Sequence, residues 1–177
     1  MKKPRVLFLC THNSARSQMA EGFLRAMAGD RFEAHSAGTE KTSVNPLAIQ
    51  VMAERDIDIS GHTSKIYGGL MSEPWDYLVT VCDDANERCP FIPGVQKRLH
   101  WSFPDPSRAT GTDAERLAAF RGVRDAIAVR IGQWLSEGSP AAASRADVSA
   151  AGRQESCKPG YGPSSGVLRV HEGLARC

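Results

Sequence analysis

Apolar positions along the chain follow two alternating patterns. Residues 5–10, RVLFLC, form an unbroken apolar run of strand length, whereas residues 17–29, SQMAEGFLRAMAG, space Met19, Ala20, Phe23, Leu24 and Met27 as one face of a helix. FEAHSAG over 32–38 reads as a second strand ended by glycine. NPLAIQVMAERD over 45–56 reads as a second helix, with Asn45 as N-cap and Pro46 as first helical residue. DYLVTVC over 76–82 is rich in β-branched and aromatic residues and predicts a central strand; KRLHW over 97–101 predicts a shorter fourth one. Thr112 or Asp113 then opens a long helix whose Leu117, Phe120, Val123, Ile127, Ile131 and Trp134 fall on one face. The alternation predicts an α/β fold, a four-stranded parallel sheet flanked by helices with right-handed crossovers.

Composition changes this picture at one point, Leu135. Of the 42 residues from Ser136 to Cys177, 23 are Ser, Gly, Ala or Pro, with little apolar periodicity. A single catalytic domain over 1–135 and a low-complexity, disordered tail over 136–177 are therefore expected. The 177 residues are 41% apolar and 24% charged, ordinary for a globular chain. Twenty-two basic and 20 acidic residues are interspersed, for a net charge of +2, which argues against nucleic acid as a partner. No apolar run approaches the length of a membrane span, and MKKPRVLFLCTHNS lacks the apolar core of a signal peptide, so a cytoplasmic protein, acting as a monomer, is expected. Five cysteines in a reducing compartment suggest catalytic, redox or inert thiols before a disulfide framework.

If the first strand ends at Cys10 and the helix starts near Ser17, CTHNSAR is a strand-to-helix loop at the carboxyl edge of the sheet, where open α/β proteins bind ligands. Loop amides and the helix dipole converge there on an anion. Arg16 adds a planar fork able to grip two oxygens of a tetrahedral oxyanion. Thiols in such a positive field titrate near about 4 to 7 instead of about 8.5, so Cys10 is expected to be a thiolate. Ser17 either donates to that thiolate or caps the helix, and Asn13 is a residue type that tolerates a left-handed backbone.

These residues carry a resemblance. VLFLCTHNSARSQMAEGFLR resembles the signature of the low-molecular-weight protein tyrosine phosphatase superfamily, in which Cys-x5-Arg-Ser forms the phosphate loop, on a fold of flavodoxin-like topology. The resemblance implies Cys10 as nucleophile and Arg16 as oxyanion clamp. Thr11, His12, Asn13, Ser14, Ala15 and Ser17 become the residues that bind the oxyanion and organise the loop. It also implies a general acid in an Asp-Pro pair, and Asp105 before Pro106 stands in that place. His12 reads as a loop residue, since the acid role falls to Asp105. The other histidines show no zinc-ligand spacing, and no metal is expected.

A phosphocysteine would be hydrolysed by water, whereas an arsenate adduct can be attacked by a second thiol to release arsenite. Cys82 ends the central strand and in a parallel sheet emerges at the same edge as Cys10; Cys89 follows seven residues later. With a helix between them Cys82 and Cys89 would lie roughly 10 Å apart, beyond the roughly 4.4–6.8 Å between Cα atoms of a disulfide, so bridging them requires unwinding. The pair resembles that of the thioredoxin-coupled arsenate reductases, as do SAGTE, ISGHTS, TVCDDANERCP and HWSFPDP. This implies a relay: Cys10 takes arsenate, a transient Cys10–Cys82 disulfide expels arsenite, and a Cys82–Cys89 disulfide passes to thioredoxin, with no bound cofactor and with phosphate or sulfate as competing oxyanions. The alternative is a phosphatase hydrolysing phosphate monoesters through Cys10, but Ser107 stands where such phosphatases usually have tyrosine. Two further departures are Ala15, where reductases often carry another cysteine, and Lys65, where potassium-binding members place an acidic side chain beside Asn13, Glu21, Ser36 and Thr63. The Lys65 ammonium either replaces that cation or is a solvated surface charge. Cys157 and Cys177 lie in the tail, outside the resemblance, and read as bystanders.

Overall fold

A computed structural model describes residues 2–82 and 92–138. Its four strands, β1 (Arg5–Cys10), β2 (Glu33–Gly38), β3 (Tyr77–Thr80) and β4 (Lys97–His100), form one parallel sheet in the order β2-β1-β3-β4. All four carboxyl ends therefore lie on one edge. β1 is central and buried on both faces, which is why it reads as an unbroken apolar run. Val6, Phe8 and Cys10 join one core cluster, while Leu7 and Leu9 join another on the opposite face.

The three described helices, α1 (Arg16–Ala28), α2 (Pro46–Ala53) and α3 (Asp113–Ser136), contribute to the first cluster. The second cluster is packed by Trp75, Ile92, Tyr67, Leu70 and Val95. Asn45 caps α2 through a side-chain bond from Leu47 N–H, and Thr112 opens α3 with a reciprocal capping box to Glu115. On α3 the expected stripe holds: Phe120, Val123, Ile127, Ile131 and Trp134 are buried, with Leu117 half-buried. Trp134 sits 5.1 Å from the rings of both Phe32 and Tyr77 and 5.9 Å from Trp101, joining α3 to β3 and to the residues just before β2 and just after β4 in one aromatic cluster.

Two expectations need adjusting, and one buried charge was not foreseen. The central strand ends at Thr80, not Cys82, because its partner β4 stops at His100; Val81 N–H still bonds Leu9 O at 2.9 Å, so Cys82 continues toward the same edge. β4 likewise excludes Trp101, which turns into the core. Arg124, invisible to apolar periodicity, is buried on α3, where its guanidinium bonds Val51 O and Glu54 and ties α2 to α3. The segment around Cys89, and the tail with Cys157 and Cys177, lie outside the described residues.

Candidate active site

The loop between β1 and α1 curls around the sulfur of Cys10. Asn13 takes a left-handed backbone, φ +47°, and this turn points its own N–H at Cys10 Sγ, 3.1 Å away. Ser17 Oγ lies 2.9 Å from the same sulfur. Asn13 Nδ2 donates to Ser17 Oγ at 2.9 Å, which leaves the serine proton for Cys10. Of the two roles open to Ser17, it takes the first. The N-cap position of α1 falls to Ala15, which has no side-chain oxygen to offer, so the leading amides of the helix remain available to an anion.

Asn13 is the keystone of the loop. Its Nδ2 also donates to Ser36 Oγ at 2.8 Å, and its Oδ1 accepts from Lys65 N–H at 2.7 Å and Gln18 Nε2 at 3.0 Å. Ser36 Oγ in turn donates a hydrogen bond to the buried carboxylate of Glu21. Glu21 is balanced by Arg25 at 2.5 Å and by Lys65 Nζ at 3.9 Å, while that ammonium also donates to Thr63 O at 3.1 Å. Lys65 therefore stands over the acidic end of the network and is not a free surface charge. Gln18 was missed from sequence: it is fully buried, donates to Asn13 O and Thr63 O, and accepts from His62 Nδ1 at 2.9 Å. A polar residue one turn into the helix gives no periodicity signal that separates it from a surface position.

Arg16 reaches across to the loop after β4. Its Nη1 donates to Phe103 O at 3.0 Å and its Nη2 pairs with Asp105 at 3.2 Å. Asp105 caps a short 3-10 helix, Pro106–Arg108, by accepting from the Ser107 N–H and hydroxyl at 3.0 and 2.7 Å. Burial opposes ionisation of Asp105, but the Ser107 hydroxyl, Arg16, the Ser107 amide and Arg108 outweigh it and hold the carboxyl below its usual range. Cys82 is buried behind the loop, with Thr11 Oγ1 3.5 Å from its sulfur. His12 is half exposed and pairs with Glu40 at 3.4 Å.

The cavity over Cys10 holds about 150 Å3 and is lined by His12, Ser14, Ala15, Arg16, Thr42, Ser43, Asp105 and Ser107. It suits a small tetrahedral oxyanion, and among the described residues no Phe, Tyr or Trp lines it. Thr42 and Ser43 carry no motif and were not foreseen; Thr42 enters by a bond to His12 O at 2.8 Å. Gly38, at the end of β2 and paired with Cys10 in the sheet, packs directly against the loop: a β-carbon there would stand 2.7 Å from Asn13 N and from Thr11 O. Gly38→Ala is thus expected to displace the loop and lower kcat/KM for the oxyanion about a hundredfold while the far-ultraviolet dichroism stays native. Activity within twofold of wild type would show that the loop tolerates the shift.

The low molecular weight phosphotyrosine protein phosphatase model matches residues 5–144. An arsenate reductase of Bacillus subtilis is 44% identical over 138 residues, which are 78% of this chain and 99% of that protein. Among solved structures, an arsenate reductase in its phosphate-binding state superposes with a TM-score of 0.63 at 30% identity, covering 77% of this chain and 99% of the other. A thioredoxin-dependent arsenate reductase of Corynebacterium glutamicum gives 0.58 at 28% identity, covering 76% of this chain and 61% of the other.

Proposed function

The chain belongs to the low-molecular-weight phosphotyrosine protein phosphatase family, and from that premise we propose that it reduces arsenate to arsenite through a thiol relay renewed by thioredoxin. The observation that carries this reading is the second thiol. Cys82 lies against Thr11, the neighbour of Cys10 in the loop, where a phosphatase has no use for it.

The placement of Cys10, Arg16, Asp105 and Cys82 supports the following steps. The Cys10 thiolate, stabilised by the Asn13 N–H and Ser17 hydroxyl, attacks arsenic, and one arsenate oxygen leaves as water. Asp105 is ionised while Arg16 pairs with it; an oxyanion drawing Arg16 toward itself lets the carboxylate take up a proton from water and pass it to the leaving oxygen. Cys82 sulfur then attacks Cys10 sulfur. The S–S bond forms, the S–As bond breaks with its electron pair on arsenic, and arsenite departs. Cys89, outside the described residues, attacks Cys82, releasing Cys10 as a thiolate and leaving a Cys82–Cys89 disulfide for thioredoxin. The small cavity, with no Phe, Tyr or Trp lining it among the described residues, supports an inorganic oxyanion over a phosphotyrosine ring.

The test is arsenite release with thioredoxin, thioredoxin reductase and NADPH. Wild type is expected to turn over continuously, and Cys82→Ser not at all. Cys89→Ser is expected to stop after one turnover with a Cys10–Cys82 disulfide visible by mass spectrometry. Sustained turnover by Cys89→Ser would discard the three-thiol relay. Hydrolysis of a phosphate monoester far faster than arsenate reduction would favour the phosphatase reading.

In the same reading Lys65 supplies the positive charge that other members take from potassium, since its ammonium reaches Glu21 and Thr63 O. Wild-type rates are expected to be equal in sodium and potassium buffers. In Lys65→Ser the buried Glu21 loses one of its two cations, and potassium is expected to raise the rate several-fold. Equal rates of that variant in both buffers would show that the ammonium fills no cation site.

A further inference from the structure

Beside the oxyanion cradle over Cys10 lies an open groove of about 890 Å3 that the thiol relay does not use. The two share a wall, since Thr42 and Ser43 line both. On the far side of that wall the lining changes character. Val44, Ile66 and Leu70 supply an apolar floor, and Ile66 is 46% exposed, one of three large apolar side chains left open to solvent among the described residues. Lys41 and Lys65 also line the groove, and among the described residues no carboxylate does. Glu21, which Lys65 faces, is buried and also held by Arg25 and Ser36; Glu40, next to Lys41 in the chain, pairs with His12. Charge thus favours an anion, the floor favours an apolar body, and the volume is that of a small organic molecule.

We propose that the groove binds a small amphiphilic anion, an apolar body carrying one carboxylate, and that the oxyanion loop senses its occupancy. The body lies on Val44, Ile66 and Leu70, and the carboxylate meets Lys41 and Lys65. The rim of the groove is bonded to the loop. Thr42 Oγ1 and Ser64 Oγ both donate to His12 O, at 2.8 and 3.1 Å, and the Lys65 N–H donates to Asn13 Oδ1 at 2.7 Å. A carboxylate that draws the Lys65 ammonium away from Glu21 leaves that buried acid with Arg25 as its one cation, which weakens the support running through Ser36 to Asn13. Its charge also repels a second anion across the wall of Thr42 and Ser43. Both effects oppose oxyanion binding, so the groove is an inhibitory site distinct from the cradle, and the coupling between the two is reciprocal. Because only binding is involved, the site is independent of whether Cys10 reduces arsenate or hydrolyses a phosphate ester.

The probe is 2-naphthoate, with neutral 2-naphthamide as its control, titrated into the full chain by calorimetry. Wild type is expected to bind one 2-naphthoate with a dissociation constant below about 1 mM, and 2-naphthamide at least about tenfold more weakly. Gly69, in the short 3-10 helix Tyr67–Leu70, lines the groove, and a β-carbon there would meet nothing within 4 Å. Gly69→Trp is therefore expected to fill the groove and abolish 2-naphthoate binding while phosphate binds as in wild type. Lys41→Ala is expected to weaken 2-naphthoate several-fold and to leave 2-naphthamide unchanged, which reads charge separately from shape. Saturating 2-naphthoate is expected to weaken phosphate by about three- to tenfold and then plateau, with phosphate weakening 2-naphthoate by the same factor. Absence of 2-naphthoate binding, or binding that ignores both Gly69→Trp and Lys41→Ala, overturns the site. A phosphate affinity that keeps falling in proportion to 2-naphthoate, with no plateau, puts the probe in the cradle and overturns it too. Binding that leaves phosphate affinity unchanged overturns the link to the loop.

Discussion

Cys10→Ser is expected to bind arsenate, phosphate and sulfate and to release no arsenite, with a loss of turnover greater than about a thousandfold. Every donor of the cradle survives the change. The Asn13 N–H and the Ser17 hydroxyl still point at the side chain of residue 10, and Arg16 still faces the cavity. What disappears is the nucleophile: a sulfur attacks arsenic readily, whereas a serine hydroxyl in the same place is a far weaker nucleophile at neutral pH. Titration calorimetry with phosphate separates this outcome from misfolding, because binding depends on the loop and not on the sulfur. Arsenite formation above a hundredth of the wild-type rate would mean that another thiol makes first contact with arsenic.

Arg16→Lys is expected to cost about a hundred- to a thousandfold in kcat/KM, although the charge is kept. The guanidinium is divided between two partners on the loop after β4, Phe103 O and Asp105, and faces the cavity over Cys10. An ammonium makes one contact at a time. It cannot hold two oxygens of a tetrahedral anion in the transition state, nor can it release Asp105 while staying anchored to Phe103. A buried carbonyl left short of its donor also destabilises the loop by about 1–3 kcal/mol, so the melting temperature should fall modestly along with the rate. A variant within threefold of wild type would show that charge alone organises the oxyanion.

Much of the architecture is legible in one dimension because burial in a parallel sheet has a simple pattern. β1 is apolar at every position since both of its faces are covered, and α3 carries an apolar residue every third or fourth position since only one face is. Cys10, Arg16 and the loop between them are legible for a related reason. They are close in sequence, and the loop is short enough that its spacing alone decides how a thiol and a guanidinium can converge. Asp105 became visible only through resemblance to known families, because nothing in its own neighbourhood points back to residue 10, whereas Cys82 was placed at the edge of Cys10 by its position at the end of a parallel strand.

The sequence by itself determined the layered α/β arrangement, the thiol-and-arginine loop and the position of that loop at the carboxyl edge of the sheet, all consequences of local periodicity and loop length. Tertiary structure alone decided the rest. It made Gly38 a spacing element, Gln18 and Ser36 supports for Asn13, and Lys65 a counter-charge to Glu21. It also set the Arg16–Asp105 pair as a wall of the cavity over Cys10. Such contacts join residues tens of positions apart, and hydrogen bonds and ion pairs depend on distances of a few ångströms that no one-dimensional pattern encodes.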